Sequence, residues 1–194
     1  MTYEPKIYDH LLGIPGFSDQ LLKNHFALYQ GYVKNVNTLS QELESLLRDE
    51  KGGIPAYAEL KRRFGWEFNG MRLHEYYFEN MAREPAALPD DSPLSKSIRE
   101  HFGGYDAWEM DFRAVGAMRG IGWVILYRDP QSGELFNVWV NEHDVGHLAG
   151  CQPLLVLDVF EHAYTLDYGI KRADYIEAFM KAVDWQAVAD RFNP

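Results

Sequence analysis

The segment Leu154-Leu155-Val156-Leu157-Asp158-Val159-Phe160-Glu161-His162-Ala163-Tyr164 contains the most informative pattern in the chain. It opens with four apolar residues, as a buried strand does, and Asp158 closes that strand. His162 follows four residues later, and in a helical turn this spacing places both side chains on one face. A carboxylate and an imidazole so placed can bind one metal ion from one side. An aspartate N-cap beside an unrelated histidine is an equal alternative for this segment taken alone.

Upstream of this segment, the pattern predicts two short helices followed by a pair of strands. Residues 95–102 and 106–118 have helical spacing, whereas residues 120–127 are rich in β-forming residues. Residues 129–133, Asp-Pro-Gln-Ser-Gly, predict a turn, and residues 135–140 predict the returning strand. Together with the apolar run described above, these strands predict a small antiparallel sheet surrounded by helices.

The N-terminal half of the chain predicts a helical hairpin. Ser18 is a favourable N-cap, and apolar residues follow it at spacings of three and four, so we expect a long helix to about Arg48. Residues 51–55, Lys-Gly-Gly-Ile-Pro, break this pattern. The strongest helical pattern after the break spans residues 69–81, and the two helices are expected to lie antiparallel.

A loop is predicted between the two halves at residues 83–93, which contain three prolines. We therefore predict an α+β fold, in which an N-terminal antiparallel helical hairpin is followed by a C-terminal domain of helices around a small three-stranded antiparallel sheet. The predicted domains are residues 1–88, the helical hairpin, and residues 89–194, the α/β domain.

Two histidines stand among apolar residues in the predicted hairpin and are candidates for metal binding. His25 lies between Leu22 and Leu28, and His74 follows Leu73, so each is expected to face the inside of the helical pair. A buried imidazole needs a partner, and a hydrogen-bonded core histidine is the favoured interpretation of either one alone. Two of them on facing helices strengthen the metal interpretation. Three histidines with one aspartate suit iron, manganese or zinc.

A second His-x3-His pair, His143 and His147, has a spacing that a zinc site can use. It lacks the acidic neighbour and the helical periodicity of a zinc-protease motif, so a hydrogen-bonding or surface role is preferred. Cys151 is the single cysteine and has no basic neighbour apart from these histidines, which favours an unreactive thiol.

Composition narrows the classes of function. The chain has 194 residues and a net charge of -10, which argues against a nucleic-acid partner. It has no apolar stretch of membrane-spanning length and no apolar signal core at its N-terminus, so no membrane partner is expected. A single cysteine indicates a reducing compartment, and we predict a cytoplasmic protein.

The run from Asp158 to Tyr164, Asp-Val-Phe-Glu-His-Ala-Tyr, resembles the signature of the iron/manganese superoxide dismutases. The resemblance extends over nearly the whole chain. Residues 18–37 resemble the family's first helix, and residues 69–74, Asn-Gly-Met-Arg-Leu-His, resemble its second ligand helix. Residues 120–123, Gly-Ile-Gly-Trp, resemble the strand whose tryptophan walls the metal pocket.

The resemblance implies a superoxide dismutase that converts superoxide to oxygen and hydrogen peroxide at one iron or manganese ion per subunit. It implies the following site residues: metal ligands His25, His74, Asp158 and His162; catalytic residues Tyr32, His143 and Trp123. A homodimer is implied as well, with Glu161 and Tyr164 at the interface. Within the pocket, Tyr32 would gate access and relay protons, and His143 would hydrogen-bond solvent beside the metal.

Several residues depart from the family's pattern. His25 and Tyr32 are seven residues apart, whereas the family usually has eight. Because seven residues return to nearly the same face of a regular α-helix, we expect a first helix without the π-bulge that eight would require. The family's histidine between these two positions is absent, and its glutamine that tunes the metal is missing, with Gly70 at one of the two positions it can take.

Iron is the preferred metal. The alternative function is a non-dismutase metal-binding protein on the same scaffold, and a metal-free structural domain comes third.

Overall fold

Two long helices make up the N-terminal part of the computed structural model, which describes residues 2–192. Helix α1 spans Asp19–Arg48 and helix α2 spans Pro55–Glu79. The predicted cap is confirmed, because the Ser18 hydroxyl accepts a hydrogen bond from the backbone N–H of Leu21 at 3.1 Å. Helix α1 is a regular α-helix along its whole described length, as the spacing of its two pocket residues predicts.

The second helix is confirmed, and it begins directly at the predicted break. Helix α2 begins at Pro55, and a proline in the first turn is a recognised start signal because its missing N–H would have no partner there. None of residues 55–66 is buried, so the strongest apolar spacing lies in the second half of the helix. The helix ends at Glu79, two residues before the predicted end.

The C-terminal part confirms the predicted α+β architecture. Helices α3 and α4 precede the sheet, strands β1 to β3 form it, and helices α5 to α7 follow it. Their bounds are α3 Pro93–Phe102, α4 Tyr105–Gly116, β1 Gly122–Arg128, β2 Leu135–Asn141, β3 Gln152–Asp158, α5 Thr165–Tyr168, α6 Arg172–Ala182 and α7 Trp185–Phe192. The three strands are antiparallel in the order β2-β1-β3, and short 3-10 helices lie at Asp9–Leu11 and Glu161–Ala163.

Strands β1 and β3 form the centre of the core. Nearly all their residues are buried, since helices cover both faces of the sheet, and this explains the continuous apolar runs in the sequence. Trp123 of β1 pairs with Asp158 of β3, which places an indole directly beside the carboxylate that ends the strand. Helix α2 packs across β3 and thereby brings its own side chains to the same end of the sheet.

Direct hydrogen bonds fix the hairpin against the sheet. The side-chain amide of Asn80 donates to the carbonyl of Val156 at 2.7 Å, and the Asn80 carbonyl accepts from the N–H of Asp184 at 2.7 Å. Both bonds join the end of α2 to the C-terminal half, so the two halves have a fixed relation near the site. The domain division after residue 88 stays a prediction.

Within residues 2–192, each helix falls short of the length and apolar character that crossing a membrane demands.

Candidate metal centre

Four side chains from four different elements meet where the hairpin packs on the sheet. His25 comes from α1, His74 from α2, Asp158 from the end of β3 and His162 from the 3-10 helix that follows. Each offers one ligand atom, and these four atoms lie within 4.8 Å of one another. His25, His74 and Asp158 are buried, and His162 is partly exposed. The structure therefore brings together the four residues that the resemblance names.

The carboxylate of Asp158 is oriented by its own turn. Its Oδ1 atom accepts a hydrogen bond from the backbone N–H of Phe160 at 2.8 Å, which directs Oδ2 towards the histidines. The Nε2 atoms of His25 and His162 each lie 3.2 Å from Oδ2, and that of His74 lies 3.7 Å away. The three imidazoles thus converge on a single carboxylate oxygen.

The ring of His74 has a fixed tautomer. Its Nδ1 atom lies 2.5 Å from the carbonyl oxygen of Gly70, one turn earlier in α2. A carbonyl can only accept, so Nδ1 carries the proton and Nε2 carries a lone pair. That Nε2 atom is buried and has no hydrogen-bond partner among the described residues. Such an orphaned lone pair, with a carbonyl holding the opposite nitrogen, is the arrangement of a metal-binding histidine.

Burial sets the charge of the cluster. It lowers the pKa of His25 and lowers that of His74 well below its usual value, so both rings are neutral at pH 7. Burial alone would raise the pKa of Asp158, but His162 and His25 outweigh it and hold this pKa far below its usual value. Neutral imidazoles and an ionised carboxylate are the forms that coordinate a metal. The donor set, three nitrogens and one oxygen with no thiolate, fits iron or manganese.

A chain of hydrogen bonds runs beside the cluster through Trp123, His143 and Tyr32. The indole Nε1–H of Trp123 donates to His143 Nδ1 at 3.0 Å. His143 therefore carries its proton on Nε2, which lies 2.8 Å from the Tyr32 hydroxyl and donates to its oxygen. The Tyr32 O–H is then free to donate in another direction. The three predicted catalytic residues form one connected unit next to the ligands.

The carbonyl of His143 is held from two sides. The side-chain amide of Asn69 donates to it at 2.7 Å, and Nε2 of His147 lies 2.9 Å away. His147 is fixed in turn by the Tyr127 hydroxyl, 2.7 Å from its Nδ1. The second histidine pair of the sequence therefore has a hydrogen-bonding role, as preferred above, and its two rings do not share a metal-binding cluster among the described residues.

Aromatic rings enclose the pocket. The ring of Trp123 lies 5.0 Å from that of His74, and Phe160 lies 4.8 Å from His143 and 5.2 Å from His162. Trp66 completes the enclosure at 4.4 Å from His143, a residue that the sequence analysis missed. A signal for it was present, because residues 66, 70 and 74 recur at intervals of four and share one face of α2.

The predicted interface residues lie on the side of the cluster where His162 reaches the surface. Glu161 is exposed, whereas Tyr164 is buried and its ring stacks on that of Tyr175 at 5.4 Å. The Tyr175 hydroxyl donates to the carbonyl of Asp158 at 2.7 Å, so Tyr164 is connected to the metal cluster through a packed ring.

The fold and this cluster define an α+β protein in which three histidines and one aspartate could hold one metal ion. Comparisons with known proteins identify its family. Residues 90–191 match the family profile described as iron/manganese superoxide dismutases, C-terminal domain. The chain is 37% identical over 196 residues to manganese superoxide dismutase 2 of Haloferax volcanii, covering 100% of this chain and 96% of that protein. It is 36% identical over 184 residues to the iron superoxide dismutase of Cupriavidus metallidurans, covering 92% of this chain and 90% of the relative.

A third relative, the iron superoxide dismutase of Aquifex pyrophilus, is 37% identical over 197 residues, covering 98% of this chain and 91% of that protein. The chain belongs to the iron/manganese superoxide dismutase family. The sequence prediction of an oxidoreductase of this family is thereby confirmed.

Proposed function

We propose that the protein converts superoxide to oxygen and hydrogen peroxide, with one iron or manganese ion held by His25, His74, Asp158 and His162. The observation that carries the proposal is the buried, unpartnered Nε2 of His74, which lies among the other three ligand atoms. When bound, the ion supplies the one-electron exchange with superoxide. Relatives named for iron and for manganese both match this chain, and iron is retained as the first metal to test.

The protein's own residues would control protons and water. Because His143 donates to the oxygen of Tyr32, the Tyr32 O–H can donate towards the pocket, where peroxide needs protons. Burial raises the pKa of Tyr32, so its hydroxyl keeps its proton at neutral pH. Trp123 and Phe160 would exclude water from the ligands, and Trp123 would also fix the tautomer of His143.

One observation favours the alternative, a metal-binding protein on this scaffold without dismutase activity. Leu28 and Tyr29 occupy the part of α1 where the family has a further histidine. The Tyr29 hydroxyl donates to Glu75 at 3.0 Å and accepts from the N–H of Lys6 at 3.0 Å, so it is engaged away from the metal ligands. A proton path through that position is therefore absent from the described residues, which turnover measurements must address.

A homodimer is proposed, with Glu161 and Tyr164 at its interface. Its support is a surface depression, which Glu161 and Tyr164 line together with the exposed apolar residues Met118, Ile121 and Ile170, the last of them 99% exposed. A patch of this kind is expected to be covered by another protein surface.

The cytoplasmic location is likewise a proposal, and it rests on the single cysteine, Cys151.

The function is tested by loading the protein separately with iron and with manganese and measuring superoxide consumption per mole of bound metal. The matched variants are His162→Ala, which removes a ligand, and His10→Ala, which removes an exposed histidine outside the site. We expect turnover with at least one metal, retained in His10→Ala and lost together with metal content in His162→Ala. Full metal occupancy in the wild type without turnover would place the non-dismutase alternative first.

A further inference from the structure

A shallow surface depression lies where α1 and α2 run side by side, and Tyr32 lines it. The same ring also faces the metal cluster, since its centre lies 5.1 Å from that of the His74 ring. The depression therefore opens onto the residue that the resemblance names as the gate. Two of the described residues that line it are charged, and of these Arg63 is positive and Glu67 negative.

Arg63 is held in place by two contacts on α2. Its guanidinium carbon lies 3.9 Å from the centre of the Trp66 ring, which is a close cation–π contact. Its Nε–H donates to Glu67 at 2.7 Å. The two charges of this pair differ in exposure, because the Arg63 side chain is 53% exposed and that of Glu67 only 4%. Although both residues line the depression, solvent therefore reaches mainly the positive end of the pair.

The guanidinium is coupled to the gate through Trp66. The centre of the Trp66 ring lies 5.8 Å from that of Tyr32 and 4.4 Å from that of His143. The guanidinium of Arg63, the indole and these two rings therefore form a continuous row of contacts. Burial is the main cause of the raised pKa of Tyr32 and of the lowered pKa of His143, to about 4. In both cases the charge of Arg63 adds a lowering effect, as a nearby cation should.

The substrate is an anion, whereas the chain has a net charge of -10, so the protein as a whole repels it. A local cation would oppose this repulsion. Net charge does not decide the approach of a small ion, since clefts of one sign concentrate the field at their mouths. Acidic groups stand close by, and the carboxylate of Glu142 accepts from Trp66 Nε1 at 3.3 Å. A positive group at the depression is needed to oppose them.

We infer that Arg63 determines the capture of superoxide, by attracting the anion into the depression over Tyr32 while Trp66 and Glu67 hold the guanidinium at its mouth. This inference rests on the proposed function. Arg63 is a capture residue and takes no part in the electron or proton transfers.

The first test compares Arg63→Gln with Arg62→Gln, the neighbouring exposed arginine that pairs with Glu59 and lies outside the depression. We expect kcat/KM at low ionic strength to fall by about two- to fivefold in Arg63→Gln, with kcat and metal content unchanged. The difference from wild type should disappear near 1 M salt, where the screening length is about 3 Å. Arg63→Lys should keep most of the rate because it keeps the charge.

A second test does not depend on turnover. The loaded protein is titrated with iodide, an anionic quencher of tryptophan fluorescence, and with acrylamide, a neutral one, with Trp66→Phe identifying the contribution of Trp66. Quenching of Trp66 by iodide should weaken in Arg63→Gln and stay unchanged in Arg62→Gln, with equal acrylamide quenching in both.

The outcomes separate the two claims. A wild type without turnover contradicts the proposed function, and the quenching comparison still decides whether Arg63 attracts anions. A wild type that turns over, with Arg63→Gln and Arg62→Gln alike in salt dependence and in iodide quenching, overturns the role of Arg63 alone.

Discussion

At the scale of single residues, Tyr32 has the most closely defined role outside the four proposed ligands. Its hydroxyl oxygen accepts from His143, and its ring lines the depression and lies 5.1 Å from that of His74. We predict that Tyr32→Phe slows turnover by about tenfold and leaves metal content intact, since a proton donor is lost and water replaces it only in part. Steady-state rates and product inhibition across pH measure this, with Tyr57→Phe, at the start of α2, as the matched change. Unchanged kinetics at every pH would show that Tyr32 relays no proton.

The Tyr32 ring leaves no room for a side chain at Gly70, although Gly70 lies in a regular helix. A Cβ atom at Gly70 would lie 2.6 Å from a ring carbon of Tyr32, whereas one at Gly65 in the same helix meets nothing within 4 Å. We predict that Gly65→Ala stabilises the protein by up to about 1 kcal/mol, the ordinary gain of alanine over glycine in a helix. Gly70→Ala should instead cost about 1–3 kcal/mol through overpacking and should reduce turnover, because the Tyr32 ring must move.

Thermal unfolding and turnover of the two glycine variants test this directly. Stabilisation of equal size in both variants, with normal turnover in each, would mean that Tyr32 has room to move without consequence for the gate.

At the scale of elements, a hydrogen bond connects the start of α1 to α5 in the C-terminal half. Ser18 caps the helix, and its hydroxyl also donates to the carboxylate of Asp167 in α5 at 2.7 Å. Ser92 caps α3 in the same way, through the N–H of Ser95, and its hydroxyl has no second partner among the described residues. Ser92→Ala should therefore cost about 1 kcal/mol, and Ser18→Ala about 1.5–2 kcal/mol. Urea denaturation of the metal-free variants measures both, and equal losses would show that the bond to Asp167 adds nothing.

The elements also explain how far the sequence could predict the structure. The strands and α1 were predictable because their apolar residues recur with one clear period, and Ser18 marks a helix start by its own chemistry. Only the second half of α2 had a strong helical pattern, because none of residues 55–66 is buried, and Pro55 marked the start of the helix. The interval of four between residues 66, 70 and 74 placed Trp66 on the ligand face of α2, but its contact with His143 depends on how α2 packs against the loop that holds His143, and so does the role of Arg63.

At the scale of the whole molecule, the apolar patch around Ile170 provides a test of the proposed dimer. Ile170 is 99% exposed and lines the surface depression at the proposed interface together with Glu161 and Tyr164, while Ile7, near the N-terminus, is 79% exposed. We predict that Ile170→Asp converts the protein to monomers, because an unpaired charge would be buried at the interface. Ile7→Asp should leave the assembly unchanged. Sedimentation equilibrium measures the mass, and a monomeric wild type, or a dimer unaffected by Ile170→Asp, would refute this interface.

The stability of the metal-free protein should depend on pH through histidines that are buried in their neutral form. Burial lowers the pKa of His143 to about 4, and an unfolded histidine titrates near 6.5. Between these values the unfolded chain binds more protons than the folded one, so the free energy of unfolding falls as the pH falls through this window. The effect is absent above about pH 6.5, complete below about pH 4, and worth about 3 kcal/mol for His143.

His25 and His74 act in the same direction, because burial lowers their pKa values too. The lowered pKa of Asp158 also contributes to the free energy of unfolding. This contribution is present above the pKa of an unfolded aspartate and is lost only below about pH 4. The histidines therefore control stability between pH 6.5 and 4. We predict that urea denaturation of the metal-free protein weakens steadily over this window and that His143→Gln makes the slope shallower. A slope identical in the variant would mean that His143 is protonated within the fold, and the hydrogen bond from Trp123 to its Nδ1 could not then persist.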